Sequence, residues 1–566
     1  MEARHSCAPG SCAAPVGAAL RAIRSVIVRQ RFDNPLRIAL SVGAGAIRRF
    51  ADFYQRVRKY VELKDGRVPS AGEPSNRNYA HVDRVEKKIS GQETKVIFND
   101  LRDFISAVGE LGQLRVVEGA SCDLEIGAIT EVASFKKSCP AVLFDAIKGF
   151  PAGYRVLTNF VATSQRERMV FGVAPHLSDP EAVLFWKNRL KEYAPIEPVE
   201  VTAAPVKENV MVGDDVDLNR FPWPKWHQRD GGPYICATSS VTRDPDSGYI
   251  NVGSYRYMLI GRNKIVAHIG SGHHGDVIRK KYWAKGKACP VAISLGQDPA
   301  LLIAAGTNTS WGVSEYGFAG WMRGAPVEVT KGATTDLPIP ATAEVVLEGE
   351  MLAPDAGLEI EGPFGEFSGY YGGGARPAPV TIIKSVLHRH QPIILGAPPF
   401  LGASRGILTS RGILVWNELE ALGIPDIKAI NYSWGMCIIS LKQSYPGHAM
   451  RAAHGALGGT AGYHGRFVIV VDEDIDPYNL EQVLWAIATR CDPETSVDIA
   501  RRIWSYKIDP RLPKHKKEAA DYTGSVAIID ACRPYHWYDE FPATTQISEE
   551  LLKETHAKWG KVLGED

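Results

Sequence analysis

The chain lacks any run of roughly eighteen apolar residues, so no membrane-spanning helix is expected. It also lacks an excess of either charge: 65 Lys and Arg stand against 64 Asp and Glu, a formal net charge of +1. Nothing global therefore calls for nucleic acid or an acidic surface as partner. Cysteine is sparse and scattered. The nine residues, Cys7, Cys12, Cys122, Cys139, Cys236, Cys289, Cys437, Cys491 and Cys532, form no CxxC pair and are odd in number. That fits reduced thiols in a cytosolic protein better than a disulfide framework or a zinc site. No GxxxxGK[ST] loop, HExxH or internal repeat occurs. What remains is a 566-residue chain of ordinary globular composition, longer than one domain normally holds.

The first ninety-odd residues differ from the rest. Residues 17–62 are rich in Arg and poor in acids, and Ile47, Phe50, Tyr54, Val57 and Val61 fall on one helical face. A transit-type presequence, a membrane-surface or partner helix, and an over-long reading frame all fit. Residues 64–95 are polar, hold Pro, Gly and Ser, and read as a linker, closing an N-terminal extension over 1–95. Globular patterning then begins. NDLRDFISAVGELG predicts a helix capped by Asn99 or Asp100, with Leu101, Phe104, Ile105, Val108 and Leu111 inward and Gly112 as its stop. FPWPKWHQRDGGPY, residues 221–234, is too rich in Pro and Gly for a regular element and predicts a long ordered loop. From about 235 to 400, YRYMLIG, KIVAHIG, PVAISLG, AEVVLEG, VTIIKSVLH and PIILG predict strands of an antiparallel sheet or barrel. The pattern then returns to α/β. RGILVWNELEALGIP predicts a helix ended by Gly423 and Pro425. FVIVVDEDID predicts a buried strand with a solvated acidic end. NLEQVLWAIATR predicts a helix with Leu480, Val483, Leu484 and Ile487 inward.

Chemistry concentrates in a few short segments. EIEGPFGEFSGYYGGG threads Glu359, Glu361 and Glu366 through Gly, Pro and Phe, and Gly362, Pro363 and Gly365 forbid a regular helix there. Bulky apolar neighbours raise a carboxyl pKa, so one acid of a pair can hold a proton near neutral pH; a solvated loop of idle acids is the alternative. GSGHHGD sets His273 and His274 among glycines, where one of the two could bind a metal. DEDID, residues 472–476, could take a hard cation but lacks the Gly and distal Glu of a calcium loop. GASRG, residues 402–406, matches GxSxG and would make Ser404 the nucleophile of a hydrolase. Pro398 and Pro399 interrupt the strand that such an elbow needs, so a flexible glycine loop competes. Asn251, Arg256 and Glu315 lie at the ends of strand-like runs, and spacing alone does not bring them together.

Four segments, NVGSYR, GHHGD, SEYGFAGWMRG and EGPFGEFSGYYG, occur in this order, and together they resemble the UbiD family of decarboxylases, which use prenylated FMN. The resemblance runs from about Val96 to about Pro542. It implies a mixed α/β multidomain fold. An α/β region over 96–220 would precede a central split β-barrel over 221–400 that holds the flavin. An α/β oligomerisation domain over 401–540 and a helical tail over 541–566 would follow. It implies that Asn251, His274 and Glu315 bind a divalent metal, usually manganese, on the flavin phosphate, with potassium close by. Asn251, Val252, Gly253, Ser254, Tyr255, Arg256, His273, His274 and Glu315 would line the cofactor. Arg256, Glu361 and Glu366 would form the catalytic ion network, with Glu366 the proton donor. Two departures stand out: Thr460 occupies a position where some members carry Lys near the phosphate, and His273 one where others place Gln or Arg.

The implied reaction is reversible, non-oxidative decarboxylation of an aromatic, heteroaromatic or α,β-unsaturated acid. Side chains offer no sink for the electrons left on such a carbon, so a cofactor must. The implied partners are the acid and CO2, a flavin prenyltransferase that supplies the cofactor, and further copies in a homodimer or homohexamer. A Ser404 hydrolase and a carboxylase component of a larger complex are the alternatives. The expected location is the cytoplasm, or an organelle if residues 1–95 are a transit sequence.

Overall fold

The computed structural model describes residues 98–566 except 308, 400–405, 407, 409–410, 463–464, 546, 561 and 564–566. The helical face at Ile47–Val61, the linker over 64–95 and Ser404 lie outside the described residues.

Asp100 caps the first helix, α1 (Leu101–Glu110), by accepting from the Asp103 amide, and Gly112 leaves it at φ 68°. Leu101, Phe104 and Val108 are buried as the spacing predicts. Leu111 lies one residue past the last turn and is exposed. Strands β1 (Leu114–Glu118), β2 (Ala141–Asp145) and β3 (Arg155–Thr158) follow around helix α2 (Glu125–Ser134).

The central sheet has ten strands. They are β4 (Asn209–Val212), β5 (Tyr234–Ile235), β6 (Ser239–Arg243), β7 (Ile250–Gly253), β8 (Arg256–Gly261), β9 (Lys264–His268), β10 (Cys289–Leu295), β11 (Val345–Met351), β12 (Leu358–Glu361) and β13 (Arg376–His388). Every ladder in it is antiparallel, in the order β5-β8-β9-β13-β11-β10-β6-β7, with β12 and β4 paired to the long β13. Strand β7 ends this path and β8 stands one strand from its other end, beside the two-residue β5, yet only Ser254 and Tyr255 separate β7 from β8 in the chain. So short a link spans at most about 11 Å, so the sheet curls until its two ends come together. The seam falls at residues 251–256. PIILG does not join this sheet. Its strand β14 (Ile393–Leu395) pairs in parallel with β3, where both faces are covered and a continuous apolar run fits. Helices α3 (His274–Ala284) and α4 (Glu315–Arg323) pack near the seam, each touching β7.

The C-terminal layer is a five-stranded mixed sheet, ordered β15 (Ile427–Ser433), β16 (Met436–Leu441), β17 (Phe467–Asp472), β19 (Thr523–Ala531), β18 (Val497–Trp504). Helices α5 (Arg411–Ala421), α6 (His448–Gly458), α7 (Leu480–Arg490), α8 (Lys514–Glu518) and α9 (Glu549–Trp559) accompany it. Helix α5 is followed by Gly423 at φ 69°, as expected. In α7 the buried stripe is Val483, Ala486 and Arg490, whereas Leu480 and Leu484 are exposed. The period is right and the face is rotated. Arg490 turns inward to Asp472 at 2.9 Å. Asp472 is fully buried and also takes Arg533, while Asp474 takes Arg490, so two of the DEDID acids serve two arginines. At Asp472 the end of β17 is thus buried and ion-paired rather than solvated. Among the described residues no helix is long and apolar enough to cross a membrane.

Candidate active site

Arg256 opens β8 on the seam and Glu361 closes β12, 105 positions later. The Arg256 Nε donates to Glu361 Oε1 at 3.1 Å, and its Nη1 donates to Glu366 Oε2 at 3.0 Å. One planar guanidinium therefore joins both acids of the loop, and it lies over the Phe364 ring at 4.8 Å. Glu361 is 0% exposed and Glu366 5%. Glu361 has further partners: the Tyr234 hydroxyl donates at 3.1 Å, Arg376 Nη2 at 3.4 Å, and His268 Nδ1 lies 3.5 Å away. Both additions follow from strand register, because His268 pairs with Arg256 across β9–β8 and Arg376 with Glu361 across β13–β12. Burial, with repulsion from Arg256, pushes Arg376 down to about 10.

Glu366 is placed differently. Arg256 is the sole hydrogen-bond partner of its side chain among the described residues, and Oε1 is buried with none. Burial drives its pKa above the ordinary carboxyl value. Arg256 opposes that rise, Glu361 adds to it, and Lys517 opposes it weakly. The loop is pinned on both sides. Gly231 N–H donates to the Pro363 carbonyl at 2.8 Å, and Gly365 N–H reaches the buried Asp230 at 3.4 Å. Gly362 sits at φ 95°, which glycine adopts without strain. Beyond Glu366, Lys517 Nζ donates to the Gly372 carbonyl at 2.6 Å, and Phe367 meets Tyr506 at 5.4 Å between ring centres. The segment 504–517 thus covers the outer side of the loop.

The other end of the seam is polar and backbone-rich. Glu315 is the first residue of α4 and is buried. Its Oε2 accepts from the Val252 amide at 2.7 Å and its Oε1 from the Thr309 hydroxyl at 2.8 Å. Burial raises its pKa, and no Lys, Arg or His pairs with it among the described residues. A buried carboxylate without a counter-charge is suited to a cation. His274, the first residue of α3, has its Nδ1 3.3 Å from the Tyr249 hydroxyl and its ring edge-on to Trp311. Burial, then the neighbouring His273, lowers its pKa, favouring the neutral imidazole that metals bind. Asn251 is buried on β7 next to Val252, and the Tyr255 hydroxyl accepts from the Gly275 amide at 3.1 Å. Among the described residues no cluster of three His, Cys, Asp or Glu side chains could hold a metal. A metal here needs the Asn251 amide oxygen as its third protein ligand, and Asn, His and Glu are an acceptable set for a hard-to-borderline ion. Two helices, 11 and 9 residues long, begin at His274 and Glu315, and their N-termini suit an adjoining phosphate.

The fold therefore gathers Asn251 to Arg256, His274 and Glu315 around one seam, with Glu361 and Glu366 bonded to Arg256. Ser254 is exposed, with its amide on Ala305, and His273 caps α3 with its ring 6.3 Å from Tyr255. Gly253 is a site of close approach, since a Cβ there would run into the Tyr255 ring. Thr460 is bonded through its hydroxyl and amide to Glu418 of α5. Sequence reasoning missed Tyr234, His268, Arg376 and Lys517. Strand register was the only signal that could have found His268 and Arg376.

The chain matches three family models: the UbiD N-terminal domain over residues 105–183, the Rift-related domain over 197–400, and the C-terminal domain over 409–531, each described as 3-octaprenyl-4-hydroxybenzoate carboxy-lyase. It is 34% identical over 482 residues to a phenolic acid decarboxylase of Sedimentibacter hydroxybenzoicus, covering 81% of this chain and 98% of that one. Its fold is similar to the vanillic acid decarboxylase ShVdcCD of the same organism in closed form, with TM-score 0.69, 31% identity, and coverage of 82% and 99%. It is also similar to the UbiD-class enzyme HmfF of Pelotomaculum thermopropionicum in complex with FMN, with TM-score 0.72, 28% identity, and coverage of 81% and 100%. An evolved dimeric HmfF in complex with prFMN gives TM-score 0.69 at 28% identity, covering 81% and 98%. With all three domain models matched in order and a relative covered almost end to end, this chain belongs to the UbiD family of carboxy-lyases.

Proposed function

We propose that the chain decarboxylates an aromatic carboxylic acid, reversibly and without net oxidation, with prenylated FMN bound at the seam. The observation that carries this reading is the single guanidinium shared by two buried acids of one loop, one of which keeps an oxygen without a partner. The phenolic and vanillic acid decarboxylases to which the chain is similar favour an aromatic acid over an alkene acid.

Asn251, His274 and Glu315 would hold a divalent ion, manganese in this reading, with the flavin phosphate beside it and potassium close by. When bound, the prenylated flavin supplies the electron sink for loss of CO2. The chain supplies the proton and the geometry. Glu366 carries its proton on Oε1, the unpartnered oxygen, while Oε2 stays on Arg256. Its burial favours the protonated acid, and delivery to the carbon that has lost CO2 leaves a carboxylate that Arg256 already contacts. Glu361, held by Arg256, Tyr234 and Arg376, fixes the guanidinium in that position. The 504–517 segment shields the loop from water. The C-terminal layer would carry the contacts of a homo-oligomer. A second component is a further reading, because a similar Sedimentibacter structure also contains ShVdcD; co-purification of a second chain tests it.

Protein co-expressed with a flavin prenyltransferase should release a compound with the mass of FMN plus a five-carbon prenyl unit. Glu366→Gln should retain that compound and lose turnover. Folded, metal-loaded protein without flavin, or full activity in Glu366→Gln, would overturn the reading.

A further inference from the structure

A second charged cavity, of about 380 Å³, opens in the C-terminal layer, lined by Arg466, Arg501, Arg502, Arg511 and Lys516 with Asp509 as its one acid. The cations are not equivalent. Arg466 is engaged: it bonds Ser505 Oγ at 2.7 Å and pairs with Asp509, which is buried. Lys516 pairs with Asp521 at 3.1 Å. Arg501, Arg502 and Arg511 have no acidic partner among the described residues. Three like charges are thus held round one concavity without an acidic partner among the described residues, and the Arg466 Nη1 atom is buried with no hydrogen-bond partner among them.

The backbone contributes to this arrangement. Along the β18–β19 ladder, Arg501 opposes Ser525 and Ile503 opposes Gly524, so Arg502 is an extra residue in a bulge. Arg502 stands at φ 61°, a left-handed conformation that glycine adopts freely and an arginine does not. The bulge interrupts the alternation of faces, and two consecutive arginines come to line one cavity. Burial, together with repulsion from Arg511, lowers the pKa of Arg466, as expected where cations crowd together.

We propose that this cavity is a binding site for a multiply charged phosphate compound, a diphosphate or an organic phosphate, separate from the seam. Charge selects the class: three uncompensated arginines call for an anion of two or three charges, which a monocarboxylic acid does not supply. Shape agrees, because guanidinium forks match phosphate oxygens in pairs and the volume exceeds that of one phosphate group. Ile499, Leu512 and Pro513 leave an apolar wall for a short organic portion. The cavity wall includes Asp509 to Lys516, part of the 504–517 segment whose neighbouring residues Ile508 and Lys517 hold the 361–374 loop.

Calorimetric titration of the purified full-length holoprotein with pyrophosphate, at physiological salt, tests this directly. The expected result is one saturable site per chain, weakened roughly tenfold to a hundredfold in Arg511→Ala and in Arg502→Gly. Arg502→Gly relieves the left-handed strain, so loss of binding there is not a failure to fold. Benzoate should not compete. Absence of binding at millimolar pyrophosphate, or binding unchanged in both variants, overturns the proposal. Equal competition by benzoate overturns the phosphate assignment and makes the cavity a collector of carboxylates. None of these readings depends on turnover at the seam.

Discussion

Replacing Arg256 by lysine separates a shared catalytic guanidinium from an ordinary buried ion pair. In the native chain two bonds leave one rigid fork, to Glu361 at 3.1 Å and to Glu366 at 3.0 Å. A lysine ammonium is a point donor on a flexible stem and can serve one acid well. Glu361 keeps Tyr234, Arg376 and His268 within 3.5 Å when Arg256 is gone, whereas Glu366 keeps none among the described residues. The ammonium therefore goes to Glu366. The bond given up is one charge-assisted hydrogen bond of about 1.5–3 kcal/mol, and the remaining partners of Glu361 offset much of it. A net stability loss near 1 kcal/mol moves the melting temperature by about 4 °C or less. Catalysis loses more, because Glu366 is no longer fixed relative to Glu361, and a displacement of about 1 Å costs roughly a hundredfold. The assay is kcat on aromatic acids with cofactor-loaded Arg256→Lys, beside calorimetric melting and flavin content. A kcat within threefold of the parent at equal flavin content would refute the shared-fork argument. A melting temperature lowered by more than about 10 °C would make Arg256 chiefly structural.

Further outcomes follow from the same geometry. With Glu366 as the proposed proton donor, activity should fall as pH rises through a carboxyl pKa lying above the ordinary value; Glu361→Gln removes a charge that raises that pKa, and the falling limb of kcat against pH should move to lower pH. His274→Ala should lose divalent metal, measured by elemental analysis, and flavin together; retained flavin would argue against the Asn251, His274 and Glu315 set. Gly372→Ala should push the 361–374 loop off the 504–517 segment, since the added Cβ meets the Ile508 carbonyl oxygen; the expected loss is about 1–3 kcal/mol of stability, read by denaturant titration, with a larger drop in kcat. Arg376→Met should lower kcat while leaving metal content unchanged, because Arg376 touches Glu361 and His268 and none of the proposed metal ligands.

Much of this site was legible as words and little of it as geometry. The turns and caps around Asp100, Gly112, Gly423 and the 221–234 loop follow from local chemistry, and the structure agrees there. The four motifs were visible because each is contiguous. Their convergence was not, because Arg256 and Glu361 are 105 positions apart and meet only through the pairing of β8 with β9 and of both β9 and β12 with β13. Resemblance to a family supplied that link; periodicity did not. Where local pattern did fail, buried charge was the cause: Arg490 turning inward to Asp472 rotated the face of α7 away from Leu480 and Leu484.

His268 shows the limit most sharply. Strands β8 and β9 form a hairpin around Arg262 and Asn263, and Lys264 opposes Gly261. Counting outward from that pair, a regular ladder would set Arg256 opposite Ile269 and turn His268 to the other face. A bulge between Lys264 and Ile265 shifts the register by one, and His268 becomes the partner of Arg256 instead. Its ring nitrogens then lie 3.3 Å from Arg256 and 3.2 Å from Arg376, between the two guanidiniums that hold Glu361. A single irregular residue at the turn thus decides whether an imidazole belongs to the acid network. Replacing the imidazole should therefore perturb the acid network without moving a strand. The test is kcat and its pH profile in His268→Ala beside the parent. A changed kcat or a displaced limb assigns the imidazole to the network; values that match the parent mean that His268 has no part in the chemistry.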